Sequence, residues 1–151
     1  MPEAWRIVRA RHAATAFSGE GAAKVGGRWN SRGVTVVYTS ATRALAVLET
    51  LVHLNPPMVF QYKIIRLEFP DALIERITVS KLATDWRTEP PPPAGRQLGD
   101  AWVKEGRSAI LALPSVIIPE EINYLLNPAH PDFKNISIGK AADFIFDPRL
   151  A

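Results

Sequence analysis

Short apolar runs alternate with glycine- and proline-rich breaks along the whole chain. Trp5-Arg6-Ile7-Val8 alternates in the manner of a strand. Residues 14–33 hold five of the nine glycines and read as a long loop with turns. Residues 34–39 are β-branched and aromatic and predict a second strand. Ser40 then stands where an N-cap belongs, and residues 41–54 carry apolar side chains at helical spacing up to the stop at Asn55-Pro56-Pro57. Residues 60–69 alternate as a strand, and residues 73–79 predict another. Residues 88–95 contain four successive prolines, Pro90 to Pro93, and read as a stiff polyproline II connector. A short helix is expected over residues 98–105. Strands are expected over residues 109–113 and 116–118, broken by Pro114, and a last one over residues 144–146. Helices and strands mix without regular βαβ alternation, which predicts an α+β fold rather than a doubly wound one.

A length of 151 residues fits one domain, taken as residues 1–151. The apolar and charged fractions, 47% and 22%, are those of a globular protein and leave no run near the roughly 20 residues of a membrane span. Cysteine is absent, which excludes disulfides, thiolate nucleophiles and Cys-based zinc sites together. The first eleven residues hold four charges and no apolar core, so they do not read as a signal peptide. A cytoplasmic protein is expected. The net charge of +3 is spread along the chain, without a basic run or an RNA-binding aromatic motif, so no direct nucleic-acid binding is expected. Arginine outnumbers lysine twelve to six, which leans toward bidentate contacts with carboxylates or phosphates.

Several familiar chemistries are missing. There is no phosphate-binding P-loop, and the glycines at 19, 21, 26 and 27 do not form a dinucleotide fingerprint. His12, His53 and His130 lack metal-ligand spacing, so no metal is expected. Ser115, in Leu113-Pro114-Ser115-Val116, is not in a nucleophile elbow. What remains is a helix with one carboxylate on its apolar side. Leu45, Leu48 and Val52 predict its buried stripe, flanked by Ala44 and Leu51, and Glu49 falls on the same face. A carboxylate there needs a partner, a solvent-filled cleft or a ligand; a helix-edge glutamate paired with an arginine would also satisfy the pattern. Arg28 follows Gly26-Gly27 and precedes Trp29, a setting for close approach to an anion or for an arginine stacked on the indole. Tyr38, near the end of the second strand, suits either a cleft wall or the core. Arg6, among apolar neighbours on a strand, calls for an anionic partner, either Glu49 or a ligand.

Taken in order, these stretches resemble the RES domain family, named for an arginine, a glutamate and a serine. The resemblance rests on Trp5-Arg6-Ile7, Gly26-Gly27-Arg28-Trp29-Asn30, Val37-Tyr38, the helix around Glu49, and Pro114-Ser115-Val116-Ile117-Ile118-Pro119. It continues through Glu121-Ile122-Asn123-Tyr124-Leu125-Leu126-Asn127-Pro128-Ala129-His130-Pro131-Asp132-Phe133 and covers the chain from about Trp5 to Phe146. It implies a toxin of a toxin–antitoxin pair with an ADP-ribosyltransferase-like fold, small mixed sheets around a cleft for NAD. It further implies NAD as substrate without a metal, cleaved at the nicotinamide–ribose bond by hydrolysis or phosphorolysis, so that cellular NAD is depleted. Glu49 would stabilise the developing ribosyl cation, and Arg28 and Arg6 would hold the diphosphate. Tyr38 would border the nicotinamide ribose, and Ser115 would bind the carboxamide or orient Glu49. The expected partner is a small helix-turn-helix antitoxin, with a homodimer inside that complex. Two alternatives stay open: a protein mono-ADP-ribosyltransferase with a dedicated target, and a non-catalytic module that binds a nucleotide or an antitoxin.

Overall fold

The computed structural model describes residues 1–53 and 60–150. The chain forms β1 (Glu3–Arg9), α1 (Glu20–Val25), β2 (Val37–Ser40), α2 (Arg43–Leu51), β3 (Tyr62–Glu68), β4 (Ile74–Arg76), α3 (Pro93–Glu105), β5 (Ile110–Pro114), β6 (Ile122–Leu126), β7 (Ser137–Ile138) and β8 (Ala142–Phe144). The strands make one sheet in the order β4-β5-β6-β2-β1-β3-β7, with β8 also on β3. Every pairing is antiparallel except β4 with β5, so the class is α+β. The expected small sheets are two parts of this one sheet. They join where β1 meets β2 at the single pair Trp5–Ser40.

Residue alternation sorts the core onto the two faces of the sheet. Val37, Ile110, Ala112, Tyr124 and Leu126 lie on one face with Leu67 and Phe69. Leu111, Leu113 and Leu125 lie on the other, packed against Trp29, Trp86 and the fully buried Trp102 of α3. Trp5, Ile7 and Tyr62 pack on that second face against Ala46 of α2 and Phe146. All five residues of β5 are buried, as a central strand covered on both faces requires.

Several boundaries differ from the sequence reading. The segment 14–33 is not all loop, because α1 forms within it. Residues 34–36 precede the ladder, and β2 begins at Val37. Ser40 belongs to that strand; the N-cap of α2 is Thr42, whose hydroxyl accepts the Leu45 N–H at 3.1 Å. The helix runs Arg43–Leu51, while Leu54 and the Asn55-Pro56-Pro57 stop lie outside the described residues. Its buried residues are Leu45 and Ala46, whereas Val52 is 60% exposed and Ala44 is exposed too. The face that meets β1 and β2 is thus turned from the predicted stripe, though it still carries Glu49, four residues after Leu45 and three after Ala46.

The predicted strand 73–79 is only three residues long, flanked by 3₁₀ turns. The proline run feeds α3 directly, with Pro93 as its first residue, so the helix starts five residues before the predicted 98–105. Pro114 closes β5 instead of splitting two strands, and residues 116 and 117 form a bend where the second strand was expected. The strand β6 was missed. The last predicted strand is displaced to Ala142–Phe144, with Phe146 buried beyond it. No helix among the described residues is long and apolar enough to cross a membrane.

Candidate functional site

Glu49 and Ser115 meet. The Ser115 hydroxyl donates to Glu49 Oε2 at 3.0 Å. Ser115 is fully buried just past the end of β5, and its Oγ accepts the N–H groups of Ile117 and Ile118 at 3.1 and 3.2 Å. The turn at 115–118 therefore aims the serine, and a strand there would not. Asn123 on β6 is the third member, its Nδ2 donating to the same Oε2. Ser40 donates to Asn123 Oδ1 at 2.7 Å. These two are direct cross-strand partners, which puts their side chains on one face of the sheet. Glu49 itself is half-buried.

A second cluster surrounds Tyr38, two residues before Ser40 on β2 and on the same face. Its hydroxyl donates to Asn30 Oδ1 at 2.5 Å and accepts the Trp29 N–H at 3.2 Å. Burial, foremost, raises the Tyr38 pKa to about 12, so the hydroxyl keeps its proton at neutral pH. Asn30 is fully buried and donates to the carbonyls of Ala22 and Val34 at 2.9 and 3.2 Å. A Cβ at Gly27 would stand 2.7 Å from the Tyr38 hydroxyl oxygen. The space this glycine leaves is thus taken by the tyrosine.

Arg28 points at the segment before α3. Its Nη1 donates to the carbonyls of Trp86 and Thr88 at 3.0 and 3.1 Å, and its Nη2 pairs with Glu89 at 2.6 Å. Glu89 is 76% exposed at its side chain, Arg28 only 14%. Of the two partners expected for it, Arg6 makes no ion pair with Glu49 among the described residues. Its Nε donates to the Ala16 carbonyl at 2.7 Å and its Nη1 to the Tyr38 carbonyl at 2.9 Å. It lies where β1 and β2 diverge, half-buried, and the two carbonyls take two of its five N–H donors. Burial lowers its pKa to about 10, which still leaves it charged at neutral pH.

The arrangement therefore has two clusters on one sheet face: Ser40, Glu49, Ser115 and Asn123 in one, and Arg28, Asn30 and Tyr38 in the other. No hydrogen bond or ion pair joins them among the described residues. Two hollows of about 390 and 160 Å³ lie elsewhere, one under residues 13–18 and one between Trp29, Trp86 and Leu98. Neither includes Glu49. No group of three or more His, Asp or Glu among the described residues is placed to hold a metal. The sequence reading gave neither Asn123 nor Ser40 a place in the site. The signal that could have found Asn123 is its amide within the apolar run Ile122–Leu126.

The chain matches the RES domain family model over residues 3–147. It is 43% identical to the Prs ADP-ribosylating toxin of Sphingobium sp. (strain YBL2), over 97% of this chain and 94% of that protein. It is 36% identical to Toxin Res of Yersinia enterocolitica, over 97% of each. In structure it is similar to a chain of the M. tuberculosis MbcT–MbcA toxin–antitoxin complex, with a TM-score of 0.79, 14% identity, and coverage of 95% of this chain and 84% of that one. A match over nearly its whole length, together with these relatives, places this chain in the RES domain family.

Proposed function

We propose that this protein is the toxin of a toxin–antitoxin pair and breaks the nicotinamide–ribose bond of NAD. The observation that carries the reading is the Glu49 carboxylate. Its Oε2 accepts from both Ser115 and Asn123, while Oε1 accepts no hydrogen bond among the described residues. A carboxylate fixed by one oxygen and free at the other can face the ribose, where positive charge develops as nicotinamide leaves. Nicotinamide departs without a proton, so one carboxylate suffices where a glycosidase uses two. The names of the relatives support the toxin role and the handling of ADP-ribose.

The experiment is nicotinamide release from NAD by purified protein. Release into buffer, with or without phosphate, supports hydrolysis or phosphorolysis. The name of the Sphingobium relative favours a second reading, transfer of ADP-ribose to a protein. Release only in the presence of cell extract, with label appearing on one protein, supports transfer. No release in either condition overturns both and leaves a binding module.

Under this reading Arg28 meets the NAD diphosphate, and Glu89 occupies its fork until the ligand arrives. An ion pair with so exposed a carboxylate is worth at most about 1 kcal/mol, so displacing it is cheap. Glu89→Gln should tighten NAD binding by calorimetry, by about fivefold at most. Arg28→Lys should weaken it nearly as much as Arg28→Ala, because an ammonium offers no planar pair of donors. Unchanged affinity in all three variants would give Arg28 to the segment 86–89 alone, as a structural clasp.

The proposed partner is a small helix-turn-helix antitoxin whose acidic segment competes for the same arginine. Charge-assisted contacts of that kind oppose the diphosphate directly. NAD should then displace the antitoxin from the toxin in a pull-down. Undiminished antitoxin binding at saturating NAD would exclude this mode of inhibition.

A further inference from the structure

We propose that Asn123, held by Ser40, is a positioning residue for Glu49: it pins one carboxylate oxygen and leaves the other for the ribose. The inference rests on the NAD-cleaving function proposed above and goes beyond it by assigning roles to two residues on the sheet beneath the glutamate.

Hydrogen-bond direction carries the argument. The Ser115 oxygen receives two backbone N–H groups, so its acceptor sites are filled and its single proton goes to Glu49. The Asn123 amide could face either way, and Ser40 is compatible with both. With Nδ2 turned to Ser40, the amide oxygen would confront the Glu49 carboxylate, acceptor against acceptor. With Oδ1 turned to Ser40 at 2.7 Å, Nδ2 donates to Glu49, and every group is matched. Ser40 is nearly fully buried and sits opposite Asn123 in the β2–β6 ladder, so the backbone itself sets their approach. Both donors converge on Oε2. The carboxylate therefore loses its freedom to rotate and keeps Oε1 as the one oxygen open to a substrate. Glu49 makes no ion pair among the described residues, so these two neutral donors supply its orientation. Preorganisation of this kind is what a charge-stabilising group needs before the bond breaks.

The test separates positioning from mere packing. Asn123→Ala should lower kcat for nicotinamide release on the order of tenfold or more and change KM less than threefold, because the substrate touches Glu49 and not Asn123. Ser40→Ala should lower kcat by a smaller factor, since it only frees the amide. Asn123→Asp keeps the shape but sets two carboxylates together; protonation restores a donor. Its activity should be lost at neutral pH and return in part as pH falls. The other polar side chains that reach this pair among the described residues are Ser40 and Ser115, which do not titrate in that range. An Asn123→Ala enzyme with wild-type kcat, or an Asn123→Asp profile parallel to wild type, would overturn the proposal. A readout without substrate keeps it distinct from the proposed function. By NMR, the Asn123 side-chain amide protons should exchange slowly in wild type and fast in Glu49→Ala. Fast exchange in wild type would overturn the positioning role, whatever the reaction proves to be. Slow exchange in a protein that releases no nicotinamide would overturn the function while keeping the geometry.

Discussion

Replacing Glu49 by glutamine should leave a folded protein that releases nicotinamide from NAD at least about a hundredfold more slowly. Glutamine has the same shape, and its amide oxygen can still accept from Ser115 and Asn123. What it lacks is the negative charge, and charge is what a cation-like transition state draws upon. A hundredfold loss corresponds to about 2.7 kcal/mol of transition-state stabilisation, the size seen when one preorganised electrostatic partner is removed. The stability cost should stay within about 1 kcal/mol, because both neutral donors keep an acceptor. The check is a nicotinamide assay beside a urea denaturation curve, together with NAD levels in cells expressing the variant. Wild-type NAD consumption by soluble Glu49→Gln would remove the glutamate from the chemistry.

A larger effect on stability is expected far from the carboxylate. Gly99 lies in α3 where the helix presses on the turn at Trp29. A Cβ there would stand 1.7 Å from the Trp29 carbonyl oxygen and 2.8 Å from its carbon. These are backbone atoms that cannot swing aside, and one turn earlier a Cβ at Gly95 would stand 2.9 Å from the Arg28 carbonyl oxygen. Gly99→Ala gains about 1 kcal/mol of helix propensity but must push α3 away from its contact with Trp29. Overpacking of this kind costs about 3 kcal/mol or more. Against a total stability of about 5–15 kcal/mol, much of the protein should unfold or become insoluble at growth temperature. Gly21→Ala in α1 is the control, because nothing lies within 4 Å of its added methyl. It should be neutral or gain about 0.5 kcal/mol. Equal urea midpoints for the two variants would refute the tight seating of α3.

The sequence was most legible where one pattern decided the outcome. β1 declared itself through Trp5-Arg6-Ile7-Val8, and Glu49 through its place on the apolar side of a helix. The pairing of Glu49 with Ser115 joins positions 66 residues apart, and no local spacing encodes it. Asn123 was hidden for a related reason. β6 is buried along most of its length, so its pattern is nearly continuous rather than alternating, and one amide within it reads as an interruption. Ser40 was misread because serine before a helix looks like a cap, when Thr42, two residues on, performs that task. Arg6 and Gly27 teach the same lesson about buried groups. Arg6 was expected to meet Glu49 or a ligand, and the Gly26-Gly27 turn an anion or a stacked arginine; within this chain Arg6 bonds two carbonyls, and the Tyr38 hydroxyl lies where a Cβ at Gly27 would go.

The narrow junction between β1 and β2 has a mechanical consequence. On one side β1 is zipped to β3 over seven residue pairs, and on the other β2 is zipped to β6 over four; between them stand one residue pair and the bond from Arg6 to the Tyr38 carbonyl. The sheet is thus two stiff leaves on a thin spine, and α2 lies across both of them. Asn123 and Ser115 ride on the second leaf, while Glu49 rides on the helix that straddles the spine. Glu49 is thus tied through α2 to both leaves, while its two donors belong to the second leaf alone. A protein that grips both leaves from outside would hold a lever on that carboxylate without reaching it.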